Sequence, residues 1–388
     1  MNGFIPYGRQ QISEEDIEAV VRVLRSDYLT QGPAVPAFEQ SVARYCGAAH
    51  AVAMNSATSA LHLACLALGV APGDRVWTSP ITFVASANCA LYCGATVDFV
   101  DVDPATGNMC AAHLAAKLEQ AERNGNLPRV VIPVHLCGRS CDMKAIRALS
   151  RRYGFAVIED ASHAIGARYD GAPVGDCRYS DITVFSFHPV KIITTAEGGM
   201  ALTQDAALAR RMERLRSHGI TRDPADMTHT PDGPWYYQQI DLGFNYRMTD
   251  LQAALGLSQM SRLDSFVEKR EELARRYRDL LAGRDVVLPP VNSLSDRSAF
   301  HLYPVGLKDD GSTRLRVFEL MRRRDIGVNV HYIPVHLQPY YLKRGFSIGM
   351  FPAAEAYYQQ VLSLPIHPGL NYSQQDFVVA VLLEALNQ

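Results

Sequence analysis

The sequence predicts an α/β protein: a large, mostly parallel sheet covered by helices, followed by a smaller α/β unit. Two observations carry this expectation. From residue 50 to about 217, short apolar runs alternate with helical patterns. Past residue 250 a long helical stretch runs to 281, rich in charge beyond Arg262, and the remainder mixes strand-like and helical pieces. The division falls at 1–255 for the large unit, N-terminal segment included, and 256–388 for the small unit with its connecting helix.

The elements follow in order. Residues 13–26 read as an amphipathic helix, with Ser13 as N-cap, Asp16 three residues on, and Ile17, Val20, Val21 and Leu24 as the apolar face. Tyr28–Pro33 is a turn. Strands are expected at 50–54, 75–78, 96–100, 129–134, 155–159, 182–187 and 199–203. Helices are expected between them at 57–68, 82–92, 111–123, 142–153 and 205–217. In the C-terminal part, Phe300–Val305 and Val328–His331 read as strands. Sheets of this kind bind ligands beyond the carboxyl ends of their strands. Asn55, Ser56, Thr82, Phe83, Asp160 and Ser186 all fall at such ends.

Composition excludes several classes. With 48% apolar and 20% charged residues and a net charge of −2, nothing points to nucleic acid or an anionic membrane surface as partner. The first ten residues have no apolar core run and no stretch is long enough to span a bilayer, so a cytoplasmic protein is expected. The eight cysteines read as reduced core thiols. Cys89/Cys93 and Cys137/Cys141 are C-x₃-C pairs; a zinc site adding His135 is the lesser reading, because neither has C-x₂-C spacing, and no metal is expected. Neither common nucleotide-loop motif is present.

The most informative residue is Lys191. The chain has six lysines against thirty-two arginines, and only Lys191 lies between apolar stretches, after an aromatic-rich strand and before a glycine pair. A partly desolvated amine has a lowered pKa and is nucleophilic toward a carbonyl such as the aldehyde of pyridoxal phosphate. The alternative is a snorkelling surface lysine. Such a cofactor needs further parts, and each has a candidate. Ser56-Ala57-Thr58 opens a helix after a strand, where main-chain N–H groups cradle a phosphate; Ser186 could add a hydroxyl, and plain N-capping is the competing role for Ser56 and Thr58. Asp160 ends a strand and could hold a proton on the pyridine nitrogen, while strand alternation sends Glu159 to the other face. His163 could donate to the cofactor's phenolic oxygen, and Phe83 could stack on the ring; the competing roles are a structural histidine and a core phenylalanine. Lys191, once displaced, would move the proton.

These pieces, with Ser217-His218-Gly219 and Gly243-Phe244-Asn245-Tyr246-Arg247-Met248 in order and spacing, resemble the DegT/DnrJ/EryC1/StrS family of sugar-nucleotide aminotransferases. The likeness runs from Ile5 to about Pro365. Ser79–Ala85, Thr194–Gly199, His301–Pro304 and Val330–Tyr332 are most similar to the pseudaminic acid branch, as are Ala196 and His163, where many members carry Gly and Gln. The resemblance implies the aspartate-aminotransferase fold (fold type I) and pyridoxal 5'-phosphate as cofactor. It implies Lys191 as covalent anchor and proton shuttle, Asp160 as partner of the ring nitrogen, and Ser56, Ala57, Thr58 and Ser186 at the phosphate or beside the substrate. It also implies that Asn245 reaches a neighbouring subunit's phosphate, making an obligate homodimer. Tyr7, the turn Asp27, Tyr28, Leu29, Thr30, and the loop His331, Tyr332 would line the sugar-nucleotide site.

The expected reaction moves an amino group from L-glutamate to C4 of a UDP-linked 4-keto-6-deoxy-N-acetylhexosamine, giving UDP-4-amino-4,6-dideoxy-N-acetyl-β-L-altrosamine. Another UDP- or dTDP-4-keto-6-deoxy sugar is the alternative acceptor. A sugar dehydratase of the same family would carry histidine in place of Lys191. A regulator on the same fold would carry an added DNA-binding segment.

Overall fold

The computed structural model describes residues 3–307 and 312–387; Lys308 lies outside them. In the two main sheets the strands are, in chain order, β1 His50–Met54, β2 Arg75–Thr78, β3 Thr96–Phe99, β4 Val130–Ile132, β5 Ala156–Asp160, β6 Ile182–Ser186, β7 Gly199–Thr203, β8 Val286–Val287, β9 Tyr303–Leu307 and β10 Val361–Leu364. The large sheet has seven strands in the order β1-β7-β6-β5-β4-β2-β3. Adjacent strands from β6 through β5, β4 and β2 to β3 are parallel, and β7 runs antiparallel to both β6 and β1. Every residue of β6 and β7 is buried, as a central position covered on both faces requires. The small sheet is antiparallel, β8-β9-β10, with the helices Ser312–Arg323 and Tyr372–Leu386 in the same unit.

The helices of the first part are α1 Glu14–Leu24, α2 Ala34–Cys46, α3 Ala57–Ala67, α4 Ala85–Tyr92, α5 Ala111–Arg123, α6 Met143–Tyr153, α7 Ala206–Arg216, α8 Asp250–Met260 and α9 Leu263–Leu280. The strand–helix alternation matches the expected one. Several particulars do not. The helix α2 was not anticipated: Pro36 interrupts its pattern, and its first N–H groups are satisfied from far away. Asp250 Oδ1 accepts from Ala34 N and Val35 N at 2.7 and 3.2 Å, and Oδ2 accepts from Gly32 N at 2.7 Å. A proline in the first turn gives up no internal bond.

The apolar face expected on α1 is also different. Asp16 and Ala19 are the buried residues, whereas Ile17 and Leu24 are exposed. Asp16 bonds Gln259 Nε2 at 2.6 Å and pairs with Arg262, so a charged contact fixes α1 on α8. The expected single stretch 250–281 breaks at Ser261–Arg262 into α8 and α9. The first half of α9 (Leu263, Phe266, Val267) enters one core and its second half (Leu273, Ala274, Tyr277) another, the one beneath the small sheet. Ile5, grouped by sequence with the large unit, belongs to that second core and pairs with Ile326. Val328–His331 is not a strand; Asn329 makes only an isolated bridge to Ser363 of β10.

Candidate active site

The ends of β1, β5 and β6 and the loop after β2 open onto one cleft of about 500 Å³. Tyr7, Ser56, Ala57, Thr58, Phe83, Asp160, His163, Ser186, Lys191, His331 and Tyr332 all line it. The sequence grouped these eleven residues, Tyr7, His331 and Tyr332 by the family resemblance alone, and the fold brings them together around one cleft.

The helix α3 begins at this cleft. Ser56 is its N-cap, with Oγ accepting from Ser59 N at 3.1 Å, so the capping role holds for Ser56 while its residue still borders the cleft. The N–H groups of Ala57 and Thr58 have no carbonyl partner within a helix that starts there, and a helix start carries partial positive charge. Beneath them runs Gly199 of β7, where a Cβ would come within 2.4 Å of Ala57 N. The second glycine of the pair is therefore what lets the first turn of α3 lie on the sheet.

Asp160, the last residue of β5, is buried. Its Oδ2 accepts from Ser86 Oγ at 2.6 Å and its Oδ1 from Ser162 Oγ at 2.6 Å. Ser86 Oγ is in turn 2.6 Å from Thr82 Oγ1, in the loop that carries the exposed Phe83. Neither Ser86 nor Ser162 was legible as a site residue, since small hydroxyl residues on a helix or turn carry no distinctive signal. Glu159 points the opposite way, as alternation requires: it accepts from Ser180 Oγ at 2.5 Å and Thr183 Oγ1 at 3.0 Å and meets His135 Nε2 at 2.6 Å. Burial raises its pKa, but these donors outweigh that and hold it low. Burial lowers the His135 pKa, but the Cys141 side chain and Glu159 push it up to about 10 and so favour the charged ring. Against that, the Cys141 N–H at Nδ1 leaves that nitrogen no place for a proton, and the geometry gives a neutral imidazole donating from Nε2 to the carboxylate. With both nitrogens so engaged, His135 is a structural donor and not a zinc ligand.

Lys191 follows β6 in a turn whose N–H bonds the His188 carbonyl at 2.9 Å. Thr194 Oγ1 donates to Phe187 O at 3.0 Å, and Ala196 takes a left-handed φ of +64°, a conformation that favours glycine. The lysine is partly accessible from the cleft, but its amine sits in dense protein. Burial pulls its pKa down to about 8 against the opposing charge of Asp160. An amine of that pKa is substantially more available at neutral pH than an ordinary lysine.

Three imidazoles face this amine. Burial and the Lys191 charge hold His163 and His331 well below the usual histidine range, and burial with the charge of His163 does the same to His301. The sequence had not singled out His301 as a site residue; its ring lies 4.5 Å from that of His163, centroid to centroid. Glu197 and His188 add titratable groups to the cleft wall.

The remaining expected residues lie elsewhere. Asn245 is exposed and bridged to Ser217, and Asp27, Tyr28, Leu29 and Thr30 are exposed in a turn that Thr30 ties to Thr249. None of them lines the cleft within one chain.

The donor set fits pyridoxal phosphate. A helix start suits a dianionic phosphate, Asp160 suits a pyridinium N–H, and Lys191 an aldehyde. His163, with Nδ1 accepting from Cys137 N–H and Nε2 3.2 Å from Tyr332 Oη, reaches a cofactor oxygen through that hydroxyl and not by the direct contact the sequence had suggested. No helix among the described residues is long and apolar enough to cross a membrane.

Comparison with known proteins agrees with this chemistry. The family described as DegT/DnrJ/EryC1/StrS aminotransferase matches residues 10–383. The chain is 39% identical to the UDP-4-amino-4-deoxy-L-arabinose–oxoglutarate aminotransferase of Shewanella sediminis, over 99% of this chain and 98% of that one. It is 37% identical to the UDP-4-amino-4,6-dideoxy-N-acetyl-β-L-altrosamine transaminase of Campylobacter jejuni, again over 99% and 98%. Among solved structures it resembles Helicobacter pylori PseC, an aminotransferase involved in the biosynthesis of pseudaminic acid, with a TM-score of 0.90 and 30% identity over 99% of each chain.

Proposed function

The chain belongs to the DegT/DnrJ/EryC1/StrS aminotransferase family and is a pyridoxal phosphate-dependent sugar-nucleotide aminotransferase; from that premise we propose that its amino acceptor is C4 of a UDP-linked 4-keto-6-deoxy-N-acetylhexosamine and its donor L-glutamate. The observation that carries the site is the meeting of Lys191, Asp160 and the start of α3 in a single cleft. The product would be UDP-4-amino-4,6-dideoxy-N-acetyl-β-L-altrosamine, which the likeness to the Campylobacter transaminase supports.

When bound, pyridoxal phosphate supplies an aldehyde and an electron-accepting ring that carry the amino group from donor to acceptor. The chain's residues do the rest in this reading. Ala57 and Thr58 N–H groups and the Ser56 and Ser186 hydroxyls bind the phosphate. Asp160, held by Ser86 and Ser162, keeps a proton on the ring nitrogen. Phe83 covers one ring face and excludes water. Lys191 Nζ takes and returns the proton at the carbon exchanging its amine, once in each half-reaction. Tyr7, His331 and Tyr332, on the small-sheet side, face the sugar nucleotide.

A second copy of the chain completes the site in this reading. Ile12, Ile17, Leu24, Tyr28 and Leu29 are all exposed apolar or aromatic side chains in the first thirty residues. A homodimer would cover them and would bring Asn245 and the 27–30 turn to the partner's cleft.

The test is turnover. Purified protein with glutamate and the UDP-4-keto-6-deoxy-N-acetylhexosamine should release 2-oxoglutarate. The arabinose relative makes a UDP-4-keto-pentose the competing acceptor. Faster turnover of the pentose, or none with either sugar, would overturn the proposal.

A further inference from the structure

Two imidazoles near the cleft are held by main-chain donors from one short segment. Cys137 N–H donates to His163 Nδ1 at 3.3 Å, and Cys141 N–H donates to His135 Nδ1 at 3.2 Å. A main-chain N–H only donates, so each Nδ1 is the unprotonated acceptor, and a neutral ring then carries its proton on Nε2. At His135 that proton goes to Glu159. At His163 it points to Tyr332 Oη, 3.2 Å from Nε2.

The segment is clamped from three sides. Leu136–Gly138 is a single 3₁₀ turn in which Cys137 takes the left-handed φ of +59°. Asn108, itself buried, accepts from Leu136 N at 2.9 Å and donates to the carbonyls of Arg139 and Ser140 at 3.0 and 3.1 Å. Gly138 O accepts from Ala299 N at 3.0 Å, and a Cβ on Gly138 would come within 3.0 Å of His163 O and 3.1 Å of Phe300 N. The titratable groups nearest His163 are Lys191, His301, His331 and Tyr332, and the carboxylates of Asp160 and Glu197 line the same cleft.

We propose that Cys137 is a positioning residue: its main-chain N–H fixes His163 as the Nε2–H tautomer, His163 donates to Tyr332 Oη, and the Tyr332 hydroxyl presents its own proton to an oxygen of the bound ligand. The relay runs one way, from turn to cleft. Burial raises the Tyr332 pKa, so the phenol keeps its proton and serves as donor, not as base. The acceptor is an oxygen bearing negative charge, on the cofactor or on the substrate. Only the ligand's identity rests on the functional reading above; the tautomer does not.

The test uses the full chain labelled with ¹⁵N-histidine and no added cofactor. Two-bond ¹H–¹⁵N couplings should show His163, identified by its loss in His163→Gln, neutral and protonated at Nε2 between about pH 6 and 8. A ring protonated at Nδ1, or at both nitrogens, overturns the proposal. His163→Leu removes both the acceptor for Cys137 and the donor for Tyr332, so its affinity for pyridoxal phosphate should fall about tenfold, and His163→Gln, which keeps an acceptor and a donor, should restore part of that loss. In Tyr332→Phe, weaker pyridoxal phosphate binding assigns the oxygen to the cofactor; unchanged binding with a raised KM for the keto sugar assigns it to the substrate. No change in either overturns the Tyr332 step. A chain that never transaminates but shows the Nε2–H ring sinks the proposed function and leaves this inference standing; the wrong tautomer in an active enzyme does the reverse.

Discussion

Gly199 lies directly under Ala57: a Cβ on the glycine would sit 2.4 Å from the alanine's amide nitrogen and 2.5 Å from its Cα. The contact is with backbone on both sides, so no side chain can turn away to make room. The substitution Gly199→Ala must lift the start of α3 off β7. We expect a loss of about 1–3 kcal/mol of stability, the usual range for overpacking. Affinity for pyridoxal phosphate should fall at least about tenfold, because displaced N–H groups miss the phosphate. Urea unfolding and a cofactor titration measure the two; intact affinity would show that the phosphate binds elsewhere.

The depressed pKa of Lys191 makes two pH predictions. Covalent capture of added pyridoxal phosphate by the cofactor-free protein should rise with a midpoint near 8, and the Lys191→Ala protein should show no capture. About one amine in ten is then uncharged at pH 7. Stability runs in the same direction. The folded pKa lies below the unfolded one, so charging Lys191 opposes folding, fully below pH 8 and progressively less as pH rises from 8 toward 10.5. The cofactor-free protein should therefore gain up to ~3 kcal/mol across that window relative to Lys191→Met. Denaturant midpoints of the two proteins at pH 7 and pH 10 provide the comparison.

Adjacent carboxylates on β5 should behave oppositely. Asp160→Asn leaves its hydroxyl partners a neutral acceptor, so the fold should hold while turnover falls by at least about 10²-fold, as expected when a charge at the reacting system is removed. Glu159→Gln breaks a buried set of donors from His135, Ser180 and Thr183 and should cost about 2 kcal/mol or more of stability. The cofactor-bound fraction that remains folded should retain near-normal kcat. Thermal melts paired with steady-state rates separate the two outcomes; equal loss of activity in both would place Glu159 in the site.

Subunit sharing can be read from mixed dimers. Lys191→Ala and Asn245→Ala should each be nearly inactive alone. In a homodimer whose sites draw these two residues from different subunits, random exchange restores one intact site in each heterodimer, about a quarter of all sites. Recovered activity near that fraction after co-refolding supports the shared site. No recovery would place both residues in the same subunit's site or leave Asn245 without a role.

The legible part of this protein was what local pattern encodes. The alternation of strands and helices from β1 to α7 could be read almost to the residue, because each element declares its period within a few turns. The cleft residues at strand ends and at the start of α3 were readable too, because those are local features with a known place in an open sheet, whereas Tyr7, His331 and Tyr332 were reached only through the family resemblance. The helix α1 shows the limit. Its apolar pattern predicted a face that the single chain leaves exposed, because the buried face is fixed by Asp16 meeting Gln259 and Arg262. Pattern counts apolar residues and cannot see a charge whose partner is more than two hundred residues away.

The sequence by itself determined the order of elements, the lone lysine in an apolar setting and the small residues that open α3 beside it. Tertiary structure alone decided how those parts are held. Asp250 caps α2 across the chain, Ser86 and Ser162 fix the Asp160 carboxylate, Gly199 admits the start of α3, and the Cys137 N–H settles which nitrogen of His163 carries a proton. Apart from Ser162, which is two residues from Asp160, each of these joins segments far apart in sequence through hydrogen bonds or a missing methyl group. Hydrogen bonds act over about 3 Å and fail with small misalignment, so such contacts exist only once the fold has brought both ends together.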